Sequence, residues 1–267
     1  MRLQHATRSS KGARSYQEDA ALVRAEPDDH GSEAAEPGSG ARQLTAVLAD
    51  GMGGHAGGAL ASSTACQIFM RAYETSSGDV HARLGEALAL ANAAIANCVE
   101  ENPALNGMGC TLVGTAFGAA GMEWVSVGDS PMFLVRAGQI ALLNEDHSLA
   151  PEIDRLAAAG KITWEDAQSD PRRHFLRSAL TGADIELVDR SRQPLLLEPG
   201  DVVIIASDGI HTLSHAEILG AVEPHRTQGP DAIADALLEA VDAAGDLYQD
   251  NTTVVVIGVC QSGERIG

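Results

Sequence analysis

The sequence predicts an α+β fold in which β-sheets are covered by pairs of helices. Strand-like runs follow one another in series instead of alternating singly with helices, which argues against βαβ repeats. The last run, 252–260, is almost wholly apolar and is therefore expected in the middle of a sheet. The chain has 267 residues, of which 45% are hydrophobic, so it can bury one large core.

The elements of the N-terminal half follow from the spacing of their apolar residues. Strands are predicted at 1–9, 19–24, 43–49, 111–118, 122–127, 132–136 and 140–144. The Gly- and Pro-rich segment 25–41 predicts a mobile hairpin loop rather than a domain boundary. Helices are predicted at 57–73 and 80–99, where apolar residues recur at helical spacing.

The C-terminal half contains further strands and helices. A helix at 148–159 is ended by Gly160, and Thr163 with Asp166 predicts a capped turn of helix after it. The remaining predicted elements are strands at 185–191 and 201–206, helices at 214–221 and 231–244, and the last strand.

Charge and cysteine content exclude several classes of protein. The formal net charge is −19, which argues against nucleic-acid binding and against docking on an anionic membrane. The four cysteines show no CxxC spacing and lie in apolar stretches, as expected of buried thiols in a reducing compartment. No signal-like or membrane-spanning run occurs, so the sequence predicts a soluble cytoplasmic protein.

Four aspartates lie at the ends of predicted strands. Asp50, Asp129 and Asp208 each follow an apolar run, and Asp250 precedes the last strand. Each motif alone is more typical of a turn. Carboxylates that converge on one edge of a sheet repel one another unless a cation lies among them. The four together therefore indicate a site for a hard metal ion with oxygen ligands.

Eight short motifs occur in order along almost the whole chain. They are 12–19 (GARSYQED), 50–55 (DGMGGH), 109–111 (GCT), 127–130 (VGDS), 146–148 (DHS), 180–182 (LTG), 207–209 (SDG) and 250–251 (DN). The ordered set resembles the metal-dependent Ser/Thr protein phosphatase family, the PPM or type 2C group, and its bacterial members in particular.

The resemblance implies a four-layer α-β-β-α sandwich, with two central, mostly antiparallel sheets flanked by helix pairs. It implies a single PPM-type catalytic domain at 1–262, followed by a C-terminal tail at 263–267. Residues 146–180 correspond to the variable flap near the active site. Within it, Arg172, Arg173 and His174 are expected either to be solvated, which we favour, or to contact a phosphopeptide.

The resemblance also implies a centre of two Mn²⁺ or Mg²⁺ ions at one end of the sandwich. Asp50 would bridge the ions and the Gly51 carbonyl would bind one of them. Asp208 and Asp250 would complete the direct ligands of the other ion. Both ions prefer octahedral oxygen ligation and keep several waters, which suits such a set.

Further acidic residues match outer positions of the family's metal centre. Asp129 matches the place of a weaker third ion in some members, and Glu18 and Asp19 match residues that hold metal-bound waters. A solvated surface pair is the alternative for Glu18 and Asp19. Thr212 stands where many members have an aspartate that holds metal-bound water, which predicts weaker outer ordering or a weaker third ion.

The resemblance assigns catalytic roles to two more residues. A water shared by the two ions would attack phosphorus directly, without a phosphoenzyme. Arg14 matches the phosphate-binding arginine, although a lone arginine is usually a surface residue. His55 is the candidate acid that protonates the leaving oxygen, and the alternative is that it simply begins the helix.

Three functions are consistent with these residues. The first is a phosphoserine/phosphothreonine phosphatase, with phosphorylated proteins, a cognate Ser/Thr kinase and the targets of that kinase as partners, and a monomeric state. The second is a phosphoprotein-binding pseudophosphatase, which the intact metal-ligand set disfavours. The third is a metal phosphohydrolase that acts on small phosphate esters, because a metal centre does not encode substrate size.

Overall fold

The computed structural model of the chain describes residues 2–26, 43–54 and 56–260. Two five-stranded antiparallel sheets form its centre. The strands are β1 (Arg2–Ser10), β2 (Ala20–Glu26), β3 (Gln43–Ala49), β4 (Gly51–Met52), β5 (Gly109–Cys110), β6 (Leu112–Gly118), β7 (Gly121–Val127), β8 (Met132–Arg136), β9 (Gln139–Leu142), β10 (Asp189–Arg190), β11 (Val202–Ala206) and β12 (Thr252–Cys260).

Within the part of the chain that the structure describes, six α-helices cover the sheets or lie in the flap. They are α1 (Ala56–Thr75), α2 (Val80–Glu101), α3 (Ala150–Ala158), α4 (Trp164–Ser169), α5 (His215–Val222) and α6 (Pro230–Ala244). Short 3₁₀ turns occur at Pro103–Leu105, Pro171–His174, Asp208–Thr212 and Glu223–His225. Thr163 caps α4 with the capping box that the sequence predicts.

The first sheet has the order β1-β12-β11-β8-β9 and the second has the order β10-β7-β6-β3-β2. Apolar residues of both sheets fill the space between them, with Leu48 facing Ile205 and Val255 in one cluster. The outer face of the second sheet packs on α1 and α2, and the outer face of the first packs on α5 and α6. These four layers are the predicted α-β-β-α sandwich.

Both faces of the central strands are buried, and this explains their unbroken apolar sequences. In β12, Val254 and Val256 pack toward α5 and α6, whereas Val255 and Ile257 pack between the sheets. The alternation of faces along a strand therefore places all four of these residues in a core.

The predicted strand at 185–191 is wrong for most of its length, because only Asp189–Arg190 pairs with β7. The hydroxyl of Ser178 accepts a hydrogen bond from the Leu187 amide and donates one to its carbonyl, so this backbone is bonded to a side chain rather than to a strand. Most of the predicted loop at 25–41 and the tail at 263–267 lie outside the described residues. No described helix is long and apolar enough to cross a membrane.

Candidate metal centre and active-site cleft

The four strand-end aspartates meet at one end of the sandwich. Asp50 follows β3 and Asp129 follows β7 in the second sheet, whereas Asp208 follows β11 and Asp250 precedes β12 in the first. All four line a cleft with a volume of about 860 Å³. Arg14, Glu18 and Gly51 line the same cleft. The structure therefore brings together residues that lie more than 200 positions apart in the sequence.

Glycines allow the backbone segments of the cleft to approach closely. A side chain at Gly51 would overlap the carbonyl oxygens of Gly58 and Glu18. A side chain at Gly209 would overlap the carbonyl oxygen of Asn251. The glycine after Asp50 and the glycine after Asp208 are thus required by packing, in addition to any turn that they form.

Burial and mutual repulsion raise the pKa values of the carboxylates in the cleft. The carboxyl groups of Asp50 and Asp208 lie close together in the cleft, and burial raises the pKa of both above the usual range. Burial first, and the neighbouring Asp208 second, raise the pKa of Asp129 to about 7. These carboxylates need either protons or a cation to offset their charges.

Asp19 and Glu18 add unsatisfied oxygens beside the same carboxylates. Burial raises the pKa of Asp19 to about 6, with Asp208 and Asp250 contributing repulsion. Within the described residues, Oδ1 of Asp19 and Oε1 of Glu18 are buried without a hydrogen-bond partner. A buried acceptor without a donor is costly, and this pair therefore has capacity for metal-bound waters.

The donor set fits Mn²⁺ or Mg²⁺ better than an ion that needs a complete protein cage. No three Asp, Glu, His or Cys side chains in the described ranges already form a ligand set around a single point. Mg²⁺ usually takes only one or two carboxylates and keeps several waters, so an open cleft with dispersed carboxylates and orphaned oxygens suits it.

Arg14 forms an ion pair with one of the predicted metal ligands. Its Nη2 donates a hydrogen bond to Oδ2 of Asp250 at 2.5 Å. The side chain of Arg14 is 55% exposed, so it faces the open cleft while it pairs with Asp250. The guanidinium is thus placed where an anionic substrate would meet the carboxylates.

Asn251 is a site residue to which the sequence analysis gave no role. Its Oδ1 accepts a hydrogen bond from the Glu18 amide at 2.7 Å, and its Nδ2 donates to the carbonyls of Lys11 and Tyr16 at 3.0 and 2.8 Å. This buried amide holds the loop that carries Arg14 and Glu18 against β12. Its position directly after Asp250 was the only signal in the sequence.

Buried hydroxyl groups hold the other loops of the cleft. The Asp50 amide donates to Thr111 Oγ1 at 3.0 Å, and Thr111 Oγ1 contacts Ser130 Oγ at 2.7 Å. Ser207 Oγ donates to Asp19 Oδ2 at 2.8 Å. These bonds position the loops that bear Asp50, Asp129 and Asp208 without adding charge.

Comparison with known proteins identifies the family. A model described as Protein phosphatase 2C matches residues 28–239 of the chain. The chain belongs to the protein phosphatase 2C family.

Relatives of the same family cover most of this chain. The serine/threonine protein phosphatase PstP of Mycobacterium tuberculosis is 34% identical over 261 residues, which are 96% of this chain. The chain spans only 45% of the length of that relative. The serine/threonine phosphatase stp of Listeria innocua is 30% identical over 222 residues, which are 81% of this chain and 84% of the relative.

Solved structures of the family have the same fold. The structure of Mycobacterium tuberculosis PstP/Ppp matches 98% of this chain and 100% of its own, with a TM-score of 0.77 and 32% identity. The catalytic domain of PstP in complex with two manganese ions matches 97% and 99%, with a TM-score of 0.74 and 32% identity. The fold predicted from the resemblance is confirmed.

Thr212, which the resemblance aligns with an aspartate of other members, lies in the turn that begins at Asp208 and is hydrogen-bonded there. Its Oγ1 donates a 2.6 Å hydrogen bond to Oε1 of the buried Gln249. Gln249 Nε2 in turn donates to the Gly209 carbonyl and to Thr252 Oγ1, both at 3.0 Å. Thr212 therefore supports the loop after Asp208 through neutral hydrogen bonds and supplies no carboxylate.

The outcome differs for two other residues of the motifs. His55 lies outside the described residues, so its predicted role as a general acid remains a prediction. Cys110 is fully buried in β5, and burial raises the pKa of its thiol well above the usual range. A thiol in this state is a poor nucleophile, and its burial agrees with the prediction of buried thiols.

Proposed function

We propose that this chain is a metal-dependent protein serine/threonine phosphatase. The observation that carries the proposal is the closeness of the buried carboxyl groups of Asp50 and Asp208, in a cleft that also contains Arg14. Carboxylates that lie close together favour cations, and a guanidinium beside them favours a phosphoryl group. Family membership and the phosphatase relatives support the same activity.

Two Mn²⁺ or Mg²⁺ ions would be held by Asp50, the Gly51 carbonyl, Asp208 and Asp250, and Asp129 is the candidate ligand of a weaker third ion. The two manganese ions of the PstP catalytic domain support a two-ion centre. When bound, such ions supply a water of lowered pKa and positive charge that offsets the charge developing in the transition state.

The protein residues orient the substrate and the waters of the cleft. Arg14 is exposed toward the cleft and can exchange Asp250 for two oxygens of a phosphoryl group, because a guanidinium donates in a bidentate manner. Glu18 and Asp19 have unpartnered buried oxygens that accept hydrogen bonds from water. We assign protonation of the leaving serine or threonine oxygen to His55.

The substrates we propose are phosphorylated proteins, including a cognate Ser/Thr kinase and its targets. Residues 1–262 form one catalytic domain with a flap at 146–180, followed by the tail at 263–267. One copy of the chain contains the whole candidate set, which supports action as a monomer. The free thiols of the four described cysteines support a reducing compartment, the cytoplasm.

The test is release of phosphate from a phosphothreonine peptide by the purified chain. We expect release that depends on Mn²⁺ and is lost on addition of EDTA and in Asp208→Asn. Asp242→Asn, the same change at an exposed position of α6, is the matched control and should retain activity. Absence of release by the Mn²⁺-loaded wild-type protein would contradict the proposal and favour a phosphoprotein-binding role.

A further inference from the structure

The flap presents one turn of chain to the candidate active site. Residues Pro171–His174 form a 3₁₀ turn, and Asp170 caps it by accepting a hydrogen bond from the Arg172 amide at 2.9 Å. The residues that line the cleft from this side begin at His174. The turn therefore ends where the cleft begins.

The arginines of this segment already have carboxylate partners. Arg172 donates from Nη2 to Asp170 at 2.6 Å, and Arg173 donates from Nη1 to Asp154 at 2.5 Å. Arg177 pairs with Glu152 at 2.8 Å. Two of these ion pairs join the segment to α3, and the third joins Arg172 to the capping residue Asp170. The three arginines are therefore less available to a substrate.

His174 differs from these arginines. Its side chain is exposed and lines the cleft together with Arg14 and Asp208. Within the described residues, no carboxylate forms an ion pair with it. Burial raises the pKa of Asp208, and the imidazole of His174 lies near enough to oppose that rise, which agrees with its position on the cleft wall.

We propose that His174 is a second phosphate contact, which donates an imidazole N–H to a phosphoryl oxygen of the substrate from the flap side of the cleft. Arg14 would bind the same group from the loop before β2. Apart from Arg14, and from Arg177, which is paired with Glu152, the other charged residues that line the cleft are carboxylates. A hydrogen-bond donor among them has an anionic ligand as its natural partner. Imidazole carries an N–H donor in both of its protonation states.

The inference rests on the proposed phosphatase activity and deepens it. Steady-state kinetics of Mn²⁺-saturated His174→Ala should show kcat/KM reduced by about 10- to 100-fold, the worth of one hydrogen bond to a charged group. The reduction should be similar for p-nitrophenyl phosphate and for a phosphothreonine peptide, since both carry the phosphoryl group. His174→Gln retains an N–H donor and should recover part of the loss.

A binding measurement separates this inference from the proposed function. Inorganic phosphate is titrated into the Mn²⁺-loaded wild type and into His174→Ala by calorimetry. We expect weaker phosphate binding in the variant, with unchanged Mn²⁺ affinity. If the wild type releases no phosphate from any substrate, the proposed function fails, and the phosphate titration still tests His174.

The matched control is His81→Ala, the same change at an exposed position of α2, which should retain wild-type kinetics. Three results would overturn the inference: kinetics and phosphate affinity of His174→Ala within twofold of wild type, a loss seen only with the peptide, or a loss matched by weaker Mn²⁺ binding. The melting temperature of each variant verifies that the exposed substitution leaves the fold intact.

Discussion

Strand β11 has an aspartate beyond each end, and the two carboxylates have opposite surroundings. Asp201, before the strand, is buried and accepts hydrogen bonds from Arg136 Nε and Nη2 at 2.8 and 2.6 Å and from the Glu198 amide at 2.7 Å. Asp208, after the strand, lies close to the carboxyl group of Asp50. One aspartate is satisfied within the chain, whereas the other lies among like charges.

This difference separates a structural carboxylate from a functional one. The guanidinium of Arg136 compensates the charge of Asp201, and it also pairs with Glu198 on the surface. Among the described residues, no ion pair joins Asp208 to an arginine or lysine, and the basic side chains that oppose the rise in its pKa that burial causes are the nearby His211 and His174. Burial of an unpaired charge is costly, so the end that carries Asp208 is expected to take its cation from solution.

The largest predicted effect is on catalysis, at the end of the sandwich that carries Asp208. Asp50→Asn removes the carboxylate that is proposed to bridge the ions, and we expect kcat/KM to fall on the order of 1,000-fold, since a bound ion contributes several kcal/mol to the transition state. Phosphate release from a phosphothreonine peptide at saturating Mn²⁺ measures this. Activity within tenfold of wild type would exclude the bridging role.

The next effect is on stability at the opposite end of β11. Asp201→Ala leaves Arg136 without its buried partner and should lower the free energy of unfolding by about 3 kcal/mol. Urea denaturation of the metal-free proteins measures this value. The folded variant should keep its activity per molecule, because Asp201 lies at the far end of the strand. A loss of activity without a loss of stability would contradict the structural role that we assign to Asp201.

A smaller effect is expected on the pH dependence of stability. The folded-state pKa values of Asp19 and Asp129 are raised to about 6 and about 7. The folded metal-free protein therefore binds protons that the unfolded chain has lost, and its stability falls as the pH rises through this window. We expect most of this loss between about pH 5 and pH 7, because both carboxyl groups release their protons in the folded state within that interval.

Saturating Mn²⁺ should remove or reverse this pH dependence, because the ion replaces the protons. Thermal unfolding across the pH range, with and without Mn²⁺, is the measurement. Asp129→Asn provides the control, since it should weaken the pH dependence of the metal-free protein. A metal-free protein that becomes more stable as the pH rises from 5 to 8 would show that the carboxylates are compensated within the chain.

The smallest effect concerns the rim of the cleft. Phe175 lines the cleft and is 61% exposed, so a polypeptide substrate can cover its ring whereas a small ester cannot. Phe175→Ala should raise KM for a phosphopeptide roughly fivefold, corresponding to about 1 kcal/mol of apolar contact. KM for p-nitrophenyl phosphate should not change. Leu247→Ala, at another exposed apolar residue, is the control.

The sequence alone predicted the strands that are buried on both faces and the aspartates at their ends. The strand Gln43–Ala49 matches its predicted bounds because an unbroken apolar run ends at Asp50. In contrast, the segment 185–191 has a strand-like composition, but Ser178 bonds its backbone. The conformation of this segment depends on its hydrogen bonds to Ser178, which the local sequence pattern does not reveal.

The same limit applies to the candidate site. The metal ligands could be named because each carries its own motif. The role of Asn251 depends on partners about 235 and 240 positions away, at Tyr16 and Lys11. The availability of His174 in the cleft follows from the ion pairs of its neighbours, since Arg172 is bound to Asp170 and Arg173 to Asp154. The sequence analysis favoured solvent for these three flap residues, and only their contacts distinguish His174 from the two arginines.

The most direct test of the account is thermal unfolding of the wild type, Asp208→Asn and Asp201→Asn, each with and without Mn²⁺. We expect metal-free Asp208→Asn to melt at or above the wild-type temperature and Asp201→Asn to melt below it. Mn²⁺ should stabilise the wild type and Asp201→Asn but not Asp208→Asn. A melting temperature of Asp208→Asn below that of the wild type, with equal stabilisation of both by Mn²⁺, would contradict the proposed role of Asp208.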